Sequence, residues 1–192
     1  MSDDLRWKLG ARVRGHDYKI FHTAFLEAFH PRTGALKRFS LLECVDWVNV
    51  IALTPDERVV LIRQYRPGVD RICVEIPGGM VDPGETAEAA AARELAEETG
   101  YTAKRWRRLG VAAPNPAIQN NTLHSFLAED AEPTVAQRLD GGEVVAVEVL
   151  PLPDVHAMLR DGRIDHALVI AAFAHLAFEL PELRRARPTE PG

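Results

Sequence analysis

The sequence predicts an α+β fold (mixed α/β), on three observations. Runs rich in β-branched and aromatic residues outnumber helical stretches, they do not alternate with helices as in a doubly wound sheet, and one alanine-rich helix stands in mid-chain. Residues 1–15 mix charge and glycine without a clear period. Residues 21–29 read as a strand, Pro31-Arg32-Thr33-Gly34 as a turn, and residues 35–43 as its partner. Residues 47–54 and 59–65 are β-branched runs separated by Pro55-Asp56-Glu57, the pattern of a hairpin, and 72–75 is a shorter strand. Residues 86–99 form the strongest helix, with Thr86 placed to cap its start and Gly100 to end it in the left-handed region. Strands follow at 106–112, 122–127 and 144–150. Helices follow at about 153–160, stopped by Gly162, and 166–179, stopped by Pro181. The expected organisation is an N-terminal strand region over 1–45, a main domain over 46–180 and a flexible tail over 181–192.

The chain has 192 residues, 46% hydrophobic and 27% charged, which suits one domain with its own core. Its longest apolar run, from Ala167 to Ala174, is too short to span a bilayer, and its acidic start carries no apolar signal segment, so no membrane partner is expected. Cys44 and Cys73 show no metal or disulfide spacing, which points to a reducing, cytoplasmic setting. A net charge of −5 argues against a general nucleic-acid binder. An anionic small substrate remains compatible, because bound cations can invert a local field.

The chemistry concentrates between Gly79 and Gly100. On a helix at about 100° per residue, Glu97 and Glu98 lie about 60° to one side of Glu94 and 40° to the other, so three carboxylates share a narrow arc. They occupy the C-terminal turn, where the helix dipole is negative and like charges repel. Arg93 can offset part of this through Glu97, but one arginine does not neutralise three carboxylates. A hard divalent cation with oxygen ligands and retained waters does, which suits Mg²⁺ or Mn²⁺. The alternative is a solvated glutamate face. Gly78-Gly79, which permits close backbone approach, and the turn Asp82-Pro83-Gly84, which returns Glu85 toward the helix, favour the metal.

This stretch resembles the Nudix box: Gly79, five residues, Glu85, seven residues, Arg93-Glu94-Leu95, one residue, Glu97-Glu98, one residue, Gly100. All seven fixed positions are present, a coincidence on the order of 10⁻⁹ per start site at background composition. Tyr101 departs from the pattern by standing where an aliphatic residue is usual. The resemblance implies a mixed sheet flanked by helices in an α/β/α sandwich, with an N-terminal antiparallel region. It also implies metal-assisted hydrolysis of a diphosphate linked to another moiety. Carried over by position, Glu94 and Glu98 are the main metal ligands, with the Gly78 carbonyl beside them. Glu97 binds a further metal or steadies the inner ligands, and Glu85 is a ligand through water or the partner that orients Arg93.

Three further features resemble ADP-ribose and nucleotide-sugar pyrophosphatases within that superfamily. Arg63-Gln64-Tyr65-Arg66 precedes the box, and either arginine is a candidate phosphate clamp or an edge-strand ion pair. Pro116 stands 16 residues after Gly100. Glu143, in the loop Leu139-Asp140-Gly141-Gly142-Glu143, is the candidate general base, or a solvated loop residue. The loop from Pro114 to Asn121, with Gln119, Asn120 and Asn121, lacks the glycine-serine-acidic pattern of typical ADP-ribose enzymes, so another sugar such as GDP-mannose stays open. Asn120 is a candidate for sugar hydroxyls or base edges, and Trp47 for base stacking or for the core. The resemblance implies a homodimer in which the N-terminal strands join the partner's pocket. The competing functions are a ligand sensor of the same fold that does not cut its ligand, and a hydrolase of dinucleotides or nucleoside triphosphates.

Overall fold

A computed structural model describes residues 5–186 and divides the chain into two units, one made of residues up to Val45 with Ala113–Thr122, the other of Asp46–Ala112 and the residues from Leu123 onward. The segment 113–122 makes its contacts mainly with the N-terminal strands.

In the first unit, β1 (Lys8–Asp17), β2 (Phe21–Phe29) and β3 (Leu36–Cys44) form an antiparallel sheet in chain order. The turn after β2 closes where the Gly34 N–H donates to the His30 carbonyl, with Gly34 at φ 69°. β1 had no legible period because every one of its residues is exposed. It forms by pairing with β2, Val13 opposite Phe25, and the Trp7 ring packs edge-on against His30 and Phe39 just before the strand begins. The 113–122 segment runs along β3: the Leu42 N–H donates to the Ile118 carbonyl at 2.7 Å, and the Cys44 N–H donates to the Asn120 side-chain oxygen at 2.9 Å.

The second unit holds β4 (Trp47–Leu53), β5 (Arg58–Arg66), β6 (Arg71–Glu75), β7 (Gly78–Met80), α1 (Ala87–Thr99), β8 (Tyr101–Thr102), β9 (Arg105–Ala112), β10 (Leu123–Glu129), β11 (Glu132–Pro133), β12 (Val145–Pro151), α2 (Leu152–Asp161) and α3 (Ala167–Ala186). Its main sheet has the order β12-β5-β4-β10-β9, with β6 beside β5 and β7 beside β4. β4 and β10 are parallel and the other pairs antiparallel, so the sheet is mixed. One face packs Val48, Val50, Ala52, Val60 and Phe126 against Ala90, Ala91 and Leu95 of α1. The other packs Ile51, Val59, Leu61 and Leu127 against Val155 and Met158 of α2 and Phe173 and Leu176 of α3. The result is the expected α/β/α sandwich. Among the described residues no helix is long and apolar enough to cross a membrane.

The hairpin between β4 and β5 opens after two residue pairs, Ala52 with Val60 and Leu53 with Val59. Beyond that point β4 takes β7 as its partner and β5 takes β6. β7 has no strand-forming composition, and it exists because the parted edge of β4 needs hydrogen-bond partners. α3 differs from expectation by continuing through Pro181 to Ala186. Proline's fixed φ is compatible with a helix, and its cost is one backbone bond and local crowding, so it does not have to stop one. Of the expected tail, residues 187–192 lie outside the described residues.

Leu95 is fully buried between α1 and the sheet. Leu95→Ala is expected to cost about 2–5 kcal/mol of unfolding free energy, read by denaturant titration.

Candidate active site

Local sequence places α1. The Thr86 side chain accepts from the Ala89 N–H at 3.2 Å, and Gly100, at φ 76°, donates its N–H to the Ala96 carbonyl. Ala90, Ala91 and Leu95 turn to the sheet, which directs Glu94, Glu97 and Glu98 toward β7 and the surrounding loops.

Arg93 occupies the centre of the acidic cluster. Its guanidinium donates to both carboxylate oxygens of Glu85, at 3.2 and 3.1 Å, to Glu94 at 2.8 Å, to Glu97 at 3.3 Å and to the Met80 carbonyl at 3.0 Å. One guanidinium therefore contacts three carboxylates, not the i,i+4 partner alone, because the turn at Asp82–Glu85 brings Glu85 to it, and its single charge leaves the group net negative. These bonds hold the Glu85 carboxyl below its ordinary range and raise Arg93 above its own. Glu85 is thus paired with Arg93 in this structure.

Glu94 and Glu98 converge on Gly78 and Gly79. The Gly78 N–H donates to Glu98 at 2.8 Å, and a side chain at Gly79 would meet the Glu94 carboxylate at 2.3 Å. Gly78 is itself constrained, since a Cβ there would lie 2.3 Å from the Val48 carbonyl. Both positions need the missing Cβ. Burial pushes the Glu98 carboxyl up to about 8, with the Glu94 and Glu143 charges adding to the effect and the Gly78 N–H and Arg66 opposing it. Glu94 is likewise raised, first by burial, against Arg93. Glu143 thus stands near enough for its charge to act on both glutamates, although it lies in an exposed loop.

Among the described residues no three acidic, histidine or cysteine side chains converge into a closed metal cage. The buried Glu98 and the half-buried Glu94, meeting over a bare glycine backbone, nonetheless fit a hard divalent cation that keeps several waters. The donors are all oxygen, and the vacant Cβ volume at Gly79 adjoins them.

The structure separates the two arginines before the box. Arg66 donates to both oxygens of the buried Glu75 at 2.7 Å, and its charge reaches Glu98. Arg63 lies on the opposite sheet face, sharing the β5 side of Val59 and Leu61. There it donates to Glu148 at 2.7 Å and lines a cavity of about 470 Å³ with Asp154, Ala157 and Met158 of α2. Trp47 shares the β4 face of Ile51, which packs on the α2 and α3 side, so the structure brings neither Arg63 nor Trp47 to the glutamates. Asn120 and exposed Pro116 belong to the first unit, where Asn120 terminates β3.

Sequence reasoning missed Gln137 and Arg138. The Arg138 N–H donates to the Glu97 carbonyl at 2.8 Å, the Gln137 carboxamide donates to the Glu98 carbonyl at 2.5 Å, and the Thr134 and Val135 N–H groups donate to the Gly100 carbonyl. They satisfy the open carbonyls that every helix end presents. That requirement was the one available signal, and it does not say which residues meet it.

Glu98 holds its proton more tightly folded than unfolded, where its ordinary value is 4.5. Between those two values the folded state binds more protons, so stability falls as pH rises from about 4.5 to about 8. In chelator, Glu98→Gln is expected to flatten this fall and to stabilise the protein at the alkaline end by on the order of a few kcal/mol. Parallel denaturation curves for variant and parent across that window would contradict the burial argument.

Comparison with known proteins follows the same lines. Residues 46–173 match the NUDIX domain. The ADP-ribose pyrophosphatase of Bacillus subtilis (strain 168) is 34% identical over 130 residues, covering 67% of this chain and 70% of that protein. The ADP-sugar pyrophosphatase of Mus musculus is 35% identical over 108 residues, covering 54% of this chain and 49% of that one. The crystal structure of an ADP compounds hydrolase superposes with a TM-score of 0.80 at 21% identity, covering 94% of this chain and 97% of its own, which is a likeness of fold. Since the matched span runs from the start of β4 into α3 and takes in the glutamate-bearing helix and its sheet, the chain belongs to the Nudix hydrolase family.

Proposed function

We propose that this enzyme hydrolyses the diphosphate bond of an ADP-sugar, with ADP-ribose the leading substrate, giving a nucleoside monophosphate and a sugar phosphate. The convergence of Glu94 and Glu98 on the Gly78–Gly79 backbone, with the charge of Glu143 acting on both, carries this reading. The names borne by the B. subtilis and mouse relatives support the substrate class.

Glu94, Glu98 and the Gly78 carbonyl would hold Mg²⁺, or Mn²⁺ in its place, with Glu97 at the margin. Bound there, the ion would neutralise the diphosphate oxygens and acidify an attacking water. Glu143 accepts the proton of that water as its oxygen bonds to phosphorus. The bridging P–O bond breaks, and its electron pair leaves on the departing phosphate. Glu85 keeps Arg93 in place, and Arg93 in turn separates Glu94 from Glu97. Arg66, fixed by Glu75, offers its exposed edge to a phosphate oxygen.

We also take the protein to be a cytoplasmic homodimer. Two free thiols, Cys44 and Cys73, support the compartment, and exposed apolar residues on the first unit's sheet, among them Leu9, Val13 and Phe25, support the assembly. A monomeric mass in sedimentation at micromolar concentration would remove the dimer.

Glu98→Gln is expected to lower turnover of ADP-ribose in Mg²⁺ by at least about a hundredfold while leaving the fold intact by circular dichroism. Activity within threefold of the parent would overturn the ligand assignment. A panel of ADP-ribose, GDP-mannose, UDP-glucose, NADH and nucleoside triphosphates, with products identified, tests the substrate. Release of inorganic pyrophosphate from a triphosphate, or binding of ADP-ribose without cleavage, would replace the proposed reaction.

A further inference from the structure

The segment between β11 and β12 meets the end of α1 mostly through main-chain donors. The N–H groups of Thr134, Val135 and Arg138 reach the Gly100 and Glu97 carbonyls whatever their side chains are. Gln137 is different. The two hydrogens of its carboxamide serve two acceptors, the Glu98 carbonyl at 2.5 Å and the Val145 carbonyl at 3.3 Å. Glu98 is the last acidic residue of α1, and Val145 opens β12 two residues after Glu143. The loop between these two anchors is otherwise held by a turn, in which the Glu143 N–H donates to the Asp140 carbonyl at 2.9 Å. Gly141 and Gly142 have no neighbouring atoms that a side chain would meet, so packing does not fix this stretch.

We propose that Gln137 is a positioning residue, one side chain that fixes both ends of the Glu143 loop against the carboxylate-bearing end of α1. Without it the loop keeps its main-chain contacts to the helix but loses the tie between Glu98 and the start of β12. Glu143 is then no longer held at one distance from Glu94 and Glu98. The effect on chemistry rests on the reading of Glu143 as the base, whereas the tether itself does not.

The test uses Gln137→Ala, Glu143→Gln and the double variant, with ADP-ribose and Mg²⁺. Glu143→Gln is expected to lower kcat by about a hundredfold or more. Gln137→Ala is expected to lower kcat by about ten- to a hundredfold with KM changed by no more than about twofold. The double variant is expected to match Glu143→Gln within about twofold, because a misplaced base that is already gone has nothing further to lose. Gln137→Glu, of equal length but with no N–H to offer, is expected to repeat the alanine result. In metal-free protein, trypsin is expected to cut after Arg138, whose side chain is 81% exposed, about tenfold faster in Gln137→Ala, with the thermal midpoint unchanged. Losses that multiply in the double variant, or an unchanged cleavage rate after Arg138, would overturn the proposal. Near-parental activity in Glu143→Gln would instead sink the base assignment, and the proteolysis rate would still decide whether Gln137 holds the loop.

Discussion

Glu94 and Glu98 project from the last turns of α1 onto a backbone that has no side chains of its own. Helix carbonyls already make that end negative, and burial strips water from Glu98 almost wholly and from Glu94 in part. The surrounding structure is arranged to tolerate this. Arg93 gathers Glu85, Glu94 and Glu97 around one guanidinium, and the backbone N–H of Gly78 meets Glu98. Burial first, and the neighbouring Glu94 and Glu143 charges after it, keep the Glu98 carboxyl raised. A cation is the remaining partner that would complete the balance, and the parting of β4 from β5 is what leaves room for it, since β7 enters there and carries the two glycines.

Most of the architecture was legible because its determinants are local. Thr86 and Gly100 bracket α1 by capping chemistry, and the β4–β5 hairpin and β12 follow from β-branched runs. The parts that were not legible depend on partners distant in sequence. β1 has no inward face to give a period, β7 is a Gly-Gly-Met stretch that pairs with an abandoned edge, and segment 113–122 joins the N-terminal sheet through Leu42 and Cys44. Pro181 misled for the opposite reason, a local rule overridden inside a longer helix.

The site shows the same division. The spacing of Glu94, Glu97 and Glu98 fixed their shared arc, since a helix has one geometry. Arg63 and Arg66 were both candidate clamps in sequence, and three residues along a strand is an odd step that sends them to opposite faces. Arg66 reaches the field of Glu98, while Arg63 joins Glu148 beside α2. Glu143 was singled out by resemblance alone, whereas Gln137 and Arg138 gave no signal, because a helix carbonyl can be met by main-chain and side-chain N–H groups alike.

That last circumstance has an evolutionary side. Peptide amides at Thr134, Val135 and Arg138 grip α1 regardless of which amino acids supply them, and the bend at Asp140–Glu143 has open space around its glycines. Gly141 and Gly142 can consequently accept side chains without disturbing the glutamates of α1, provided the turn keeps the length that sets Glu143. Substitution at those two glycines can thus vary the surface of the rim while the carboxylate-bearing end of α1 keeps its main-chain grip.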